Sequence, residues 1–120
     1  MAEYTYFPAL PADIVDQAAG YARKGYRLIQ IHCTNTPQEM FIIYTFEKED
    51  LTCESLRMEV QVGDTVPSIS GDFFGAFLYE NEIHDLYGVN FSGMAVDFKG
   101  TFYETAVKQA FSMTNTENNI

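Results

Sequence analysis

The chain has 120 residues, with 17 Asp and Glu against 7 Lys and Arg, a net charge of −10, and side chains that are 47% hydrophobic and 15% aromatic. So acidic a chain has little with which to neutralise phosphate, which argues against nucleic-acid binding and against direct adsorption to anionic lipid; it suits a basic protein partner, or solubility alone. Disordered chains are poor in apolar and aromatic residues, so this one is expected to fold, as a single domain with one modest core.

Met1 to Leu10 lacks the basic region and apolar run of a secretion signal. Pro11 to Lys24 reads as a helix. Pro11 suits a first turn, Asp13 and Asp16 sit at the positive end, Arg23 and Lys24 at the negative end, and Gly25 is placed to stop it. Ile14, Ala18, Tyr21 and Ala22 recur at helical spacing. Tyr26 to Cys33 alternates like a strand, with Ile29, Ile31 and Cys33 on one face. A turn at Thr34-Asn35-Thr36-Pro37 leads to Met40–Phe46, apolar enough for a strand buried on both faces. After the solvated break at 47–50, Leu56, Met58, Val60 and Val62 alternate with Arg57, Glu59, Gln61 and Gly63 as in a half-exposed strand. A loop through Val66-Pro67-Ser68-Ile69 precedes a second helix, capped by Asp72, running to about Tyr87 and stopped by Gly88. The chain is then extended from Val89, with a less regular helical stretch over Tyr103–Phe111.

Strands joined by short turns pair antiparallel, so the expected fold is α+β in two layers: a helix, three mainly antiparallel strands and a second helix packed on one face of the sheet. Residues 1–113 form the one domain, and 114–120 read as a polar, frayed tail. Cys33 and Cys53 make no Cys-x-x-Cys pair, and two thiols cannot supply an iron–sulfur cluster that takes four. No apolar run approaches the roughly 20 residues of a membrane span. The expectation is a cytoplasmic protein with reduced thiols.

The second helix carries the information. At about 100° per residue, Phe73, Ala76, Phe77, Glu80, Ile83, His84 and Tyr87 share one side, with Phe74, Leu78, Glu82 and Asp85 toward the other. Glu80 lies inside the aromatic stripe, where a carboxylate needs a partner, and His84 is four residues on. As metal ligands these groups are under-supplied, since only His32 adds another imidazole. As acid–base catalysts they lack an evident nucleophile or substrate-cradling loop. As scaffold or interface groups they fit best, because carboxylates on a helix side satisfy backbone amides or receive a partner's arginine.

The stretch Glu80-Asn81-Glu82-Ile83-His84-Asp85-Leu86-Tyr87-Gly88-Val89-Asn90-Phe91-Ser92-Gly93 resembles the Glu-Arg-Glu-x-x-Asp-(Leu/Met)-(Phe/Tyr)-Gly-(Ile/Val)-x-Phe-x-Gly signature of the C-type subunit family of NADH:quinone oxidoreductases (the respiratory-chain NADH dehydrogenase 30 kDa-type subunit). The same signature marks the D-type subunits of energy-converting (Ech) nickel–iron hydrogenases. Val66-Pro67-Ser68-Ile69 resembles that family's lead-in to the helix. Asn81 stands where the family usually has Arg, and Met94-Ala95 where respiratory members usually have His-Pro. The absence of their basic continuation and long C-terminal extension, and the Ile83-His84-Asp85-Leu86 run, are more similar to the hydrogenase branch.

The resemblance implies a subunit with no catalysis and no cofactor of its own. It would pack on the large subunit, which carries the nickel–iron centre or the quinone pocket, and near the small iron–sulfur subunit. It would be peripheral on the inner face of the cell membrane, in a complex that couples ferredoxin or NADH oxidation to proton or quinone reduction and to ion translocation. Pro67, Ser68, Glu80, Glu82, His84, Asp85, Tyr87, Gly88, Phe91 and Gly93 become interface or motif residues: Glu80 tied internally, with His84 within reach, and Glu82 or Asp85 facing a cationic partner. The rivals are a small free-standing enzyme, and a protein-binding or maturation factor on the same fold.

Overall fold

The computed structural model describes residues 5–95. The expected boundary at residue 113, the polar tail and the helical stretch Tyr103–Phe111 lie outside the described residues. Eight elements follow in chain order: β1 Thr5–Pro8, α1 Ile14–Arg23, β2 Arg27–Asn35, β3 Met40–Glu47, β4 Cys53–Glu59, β5 Thr65–Pro67, α2 Ala76–Tyr87 and β6 Asn90–Ser92. The fold is the expected two-layer α+β arrangement, with both helices on one face of a sheet ordered β1-β4-β3-β2.

The β2–β3–β4 meander is antiparallel, in the register Cys33↔Ile42 and Tyr44↔Leu56. The β2–β3 turn is held by Thr36, whose Oγ1 accepts the Glu39 amide and donates to the Glu39 carbonyl, both at 3.1 Å. Sequence reading missed β1, which pairs parallel to β4. Four residues ending in proline carry too short a pattern to announce a strand, and proline is tolerated there because β1 is an edge.

β3 is central and buried on both sides, as its composition predicts. Ile42, Tyr44 and Phe46 are fully enclosed toward the helices. On the other face Ile43 and Thr45 are buried, and the Arg57 guanidinium lies 3.8 Å from the centre of the Phe41 ring. β2 departs from simple alternation. Its register with β3 shifts between Leu28 and Gln30, a bulge. The inward-facing set therefore changes parity, from Tyr26 and Leu28 to Ile31 and Cys33, and Ile29 is left 37% exposed instead of sharing their face.

α1 begins at Ile14; Pro11–Asp13 form a turn before it, with the Asp13 amide on the Leu10 carbonyl at 2.9 Å. It ends as Gly25 predicts. Gly25 takes φ 84°, and the Gly25 and Tyr26 amides return to the carbonyls of Ala22 at 3.1 Å and Tyr21 at 3.0 Å. The helix buries Ile14, Ala18 and Tyr21. The Tyr21 ring stacks on Phe46 at 4.4 Å, and Phe46 meets Phe73 at 5.3 Å. This run of rings joins α1, the sheet and the approach to α2. Beneath it the hydroxyls of Tyr21 and Tyr26 donate to the two oxygens of Glu54, at 3.0 and 2.9 Å.

β4 stops at Glu59, short of the expected Gly63, because the chain turns there: Asp64 Oδ2 accepts the Gln61 amide at 2.8 Å. The expected loop at Val66 and the extended segment after Val89 instead pair with each other as the parallel strands β5 and β6, with Val66 opposite Phe91.

Candidate functional site

α2 does not start at Asp72, which is exposed and makes no side-chain cap. Residues 69–75 first form tight turns, with the Phe73 amide on the Ile69 carbonyl at 3.0 Å and the Ala76 amide on the Phe73 carbonyl at 2.9 Å, and the helix proper opens at Ala76. The Phe73 ring, held against Phe46, fixes this approach where a free Asp72 cap would have begun a helix earlier. The other end follows the sequence. Gly88 takes φ 75° and its amide reaches the His84 carbonyl at 3.0 Å.

Glu80 is fully enclosed on the inner side of α2. Its Oε1 accepts the Ser68 hydroxyl at 2.6 Å and its Oε2 accepts the Ile69 amide at 3.0 Å. The Ser68 and Ser70 hydroxyls lie 2.7 Å apart, and Ser70 Oγ accepts the Ala95 amide at 2.8 Å. The Ser68 amide donates to the Ser92 carbonyl at 2.8 Å. Glu80 thus closes a knot of the helix, the Pro67-Ser68 segment and the exit beyond β6. Burial pushes the Glu80 carboxyl up to about 7, and the Ser68 and Ile69 donors pull it back only partly. The Tyr44 hydroxyl, also buried, has no hydrogen-bond partner among the described residues; burial first, and then the Glu80 charge, hold it protonated.

The expected Glu80–His84 tie is absent. Helical side chains lean toward the N-terminus, so Glu80 reaches back to the Ser68 loop and away from the following turn. His84 Nδ1 lies instead 3.0 Å from Asp85 Oδ1, and the Asp85 side chain is only 6% exposed, so of the two acids expected to face outward Glu82 is the one that does. Asn81, in the family's arginine position, is fully enclosed and donates to the Phe77 carbonyl at 2.8 Å. Tyr87 is half-buried against the core, Phe91 is buried, and Gly93 is exposed at φ 74°.

The structure therefore gathers Pro67, Ser68, Glu80 and Phe91 into one assembly, sets His84 and Asp85 beside it as a pair, and leaves Glu82 and Gly93 in solvent. Sequence reasoning missed Ser70, the Ile69 amide and Tyr44. The Ser68-x-Ser70 spacing after Pro67 was the available signal for the first. Among the described residues no group of three or more His, Cys, Asp or Glu could hold a metal ion, and no helix is long and apolar enough to cross a membrane. A groove of about 650 Å³ between residues 35–40 and 59–64 is lined by Glu39, Glu59, Gln61 and Asp64, with neither His nor Cys in its wall.

A two-layer α+β domain, with one helix stapled by a buried acid to the segment that leads into it, is the class these features define. The chain belongs to the family described as respiratory-chain NADH dehydrogenase, 30 kDa subunit, whose family model matches residues 9–103. A 40-residue stretch is 48% identical to the C-type subunit of NADH-quinone oxidoreductase from Jannaschia sp. (strain CCS1), covering 33% of this chain and 19% of that protein. The fold matches a chain in the structure of the membrane-bound sulfane sulfur reductase (MBS), an archaeal respiratory membrane complex, with a TM-score of 0.72 at 19% identity, over 82% of this chain and 62% of that one. The chain thus covers less than two thirds of either relative. The family expected from Glu80–Gly93 is the family found.

Proposed function

We propose that this chain is a non-catalytic scaffold subunit of a membrane-associated, multisubunit redox complex, held peripherally on the cytoplasmic face through its neighbours. The observation that carries the reading is family membership over residues 9–103. The division of labour on α2 supports it: Glu80 is spent inside the domain while Glu82 faces out. In this reading Pro67, Ser68, Glu80, Gly88 and Phe91 fix the pose of α2, and the partners are the large subunit and the small iron–sulfur subunit. Iron–sulfur clusters and a nickel–iron centre would belong to those partners.

Within the family we place the chain with energy-converting nickel–iron hydrogenases, in which ferredoxin oxidation and proton reduction drive ion translocation. Met94-Ala95 in place of His-Pro, and the Ile83-His84-Asp85-Leu86 run, are the residues that favour this branch. The second reading, the 30 kDa-type subunit of an NADH:quinone oxidoreductase, draws on the 48% identity to such a protein over 40 residues. Affinity purification of the tagged chain from detergent-solubilised membranes tests both. Nickel, iron and sulfide at fixed stoichiometry with two further subunits are expected. Recovery with a nickel-free, quinone-reducing assembly would move the chain to the second branch, and recovery of the chain alone would leave a free-standing binding factor.

A further inference from the structure

The outward side of α2 is not what a solvated helix presents. On the helix Leu78 is 47% exposed and Leu86 50%, with the exposed Glu82 midway between them, and in the turn just before the helix Phe74 is 63% exposed. Four residues advance a helix by about 400°, so Leu78, Glu82 and Leu86 shift by about 40° at each step and lie within about 80° of one another around the axis, while Phe74 stands in the turn that leads into the helix, at the head of the same strip. The Phe74 ring is braced on Phe77 at 5.0 Å. The Glu80 knot holds the opposite side of the helix, so the strip is presented rigidly.

Charge selects the occupant. Between Asp72 and Gly88 there is no Lys or Arg, while Asp72 and Glu82 are exposed. Arg27, on the strand over which α2 packs, is already paired with Glu47 at 2.6 Å. A second copy of the chain would bring a net charge of −10 and the same acids against this strip, and anionic lipid would be repelled likewise. We propose that the strip Phe74–Leu78–Glu82–Leu86 docks a segment of a neighbouring subunit that packs apolar side chains against Phe74, Leu78 and Leu86 and aims an Arg or Lys at Glu82. This rests on the scaffold reading and names the face it uses.

The test places the photocross-linker p-benzoylphenylalanine at Leu78 or Leu86 of the tagged full chain in its own cells, with Leu10 on the far edge of the sheet as control. Adducts are identified by mass spectrometry from solubilised membranes. Leu78 and Leu86 should give adducts with one copurifying subunit, in peptides carrying Arg or Lys, and Leu10 should not. Leu78→Asp should weaken retention of that subunit by about tenfold or more, as loss of an apolar anchor does. Glu82→Lys should weaken it too, and Glu82→Gln should reduce its sensitivity to salt. Thermal melts matching the wild type show that these surface variants fold, and the cross-linking arm does not depend on them. Adducts with a second copy of the chain or with lipid, or retention unchanged in all three variants, overturn the strip. If the wild-type chain retains no subunit, the scaffold reading falls with it; if it retains one and the variants do equally well, only the strip falls.

Discussion

Glu80 and Ser68, twelve positions apart in the chain, meet at 2.6 Å behind α2, through the fully enclosed carboxylate of the first and the hydroxyl of the half-buried second. The Ile69 amide completes the contact at 3.0 Å. An acid in such a place is tolerated because both its oxygens have donors.

Removing those acceptors should be more harmful than neutralising them. Glu80→Ala leaves a cavity and an unpaired Ile69 amide, and should cost about 2–4 kcal/mol of unfolding free energy. Glu80→Gln keeps the volume and one acceptor for Ile69, while the Ser68 hydroxyl can rotate to accept; it should cost about 1 kcal/mol or less. Urea denaturation of both variants at pH 7 checks the order.

The same carboxyl sets a pH dependence. Its folded value is raised from 4.5 to about 7, chiefly by burial. Below the unfolded value both states hold the proton, and the contribution to stability is fully present. Between the two values the folded state keeps a proton the unfolded state has lost, so stability falls as pH rises, and the loss is complete above the folded value. The swing is at most on the order of 3 kcal/mol. Subtracting the Glu80→Gln stability curve from that of the wild type between pH 4 and 8.5 should isolate a fall centred in this window; a flat difference would refute it.

Tyr21 serves with its ring and its hydroxyl, and the two can be separated. Tyr21→Phe keeps the stack on Phe46 and loses one of the two Glu54 donors, costing about 1 kcal/mol. Tyr21→Ala also removes the ring, and should cost about 3–5 kcal/mol. Chemical denaturation of the pair measures the difference.

Gly88→Ala should cost about 1 kcal/mol or more, because φ 75° suits only glycine well. The added Cβ would also come within 3.1 Å of Val62 Cγ1. Val62 is 72% exposed and can yield, so adding Val62→Ala should restore little of the loss. A melting-temperature comparison of the single and double variants decides between backbone strain and contact.

The two thiols should differ in reactivity. Burial pushes the Cys33 thiol up to about 11, while Cys53 is half-buried and less strongly shielded. At pH 8, iodoacetamide should modify Cys53 first in the native chain and reach Cys33 only on unfolding, which peptide mapping reads directly.

Much of this architecture was legible where the signal is local. Gly25 and Gly88 ended their helices as placed, and the nearly all apolar or β-branched run Met40–Phe46 announced a strand covered on both faces. What escaped was set by partners distant in the chain. β1 exists because β4 accepts it. Ile29 lost its expected face to a bulge that alternation cannot reveal. Asp72 had the chemistry of a cap, but the seating of Phe73 on Phe46 decided where the helix opens. The need of Glu80 for a partner was evident from its place among rings; helical spacing offered His84, whereas the pairing of β5 with β6 delivered Ser68.

That parallel pairing has a consequence for how the chain can vary. Val66 faces Phe91 across the ladder, and everything between them, turn and helix together, must start and finish at adjacent points. The segment behaves as a fixed-length hoop. One residue added or removed within α2 would rotate half the helix by about 100°, swinging Glu80 out of its socket or forcing the ladder to slip. The hairpin tips at 36–39 and 48–52 also join paired positions, but no helix or part of the Glu80 knot lies inside them, so added residues there cost little beyond loop closure. Along α2 the count of residues is therefore as much a part of the structure as their identity.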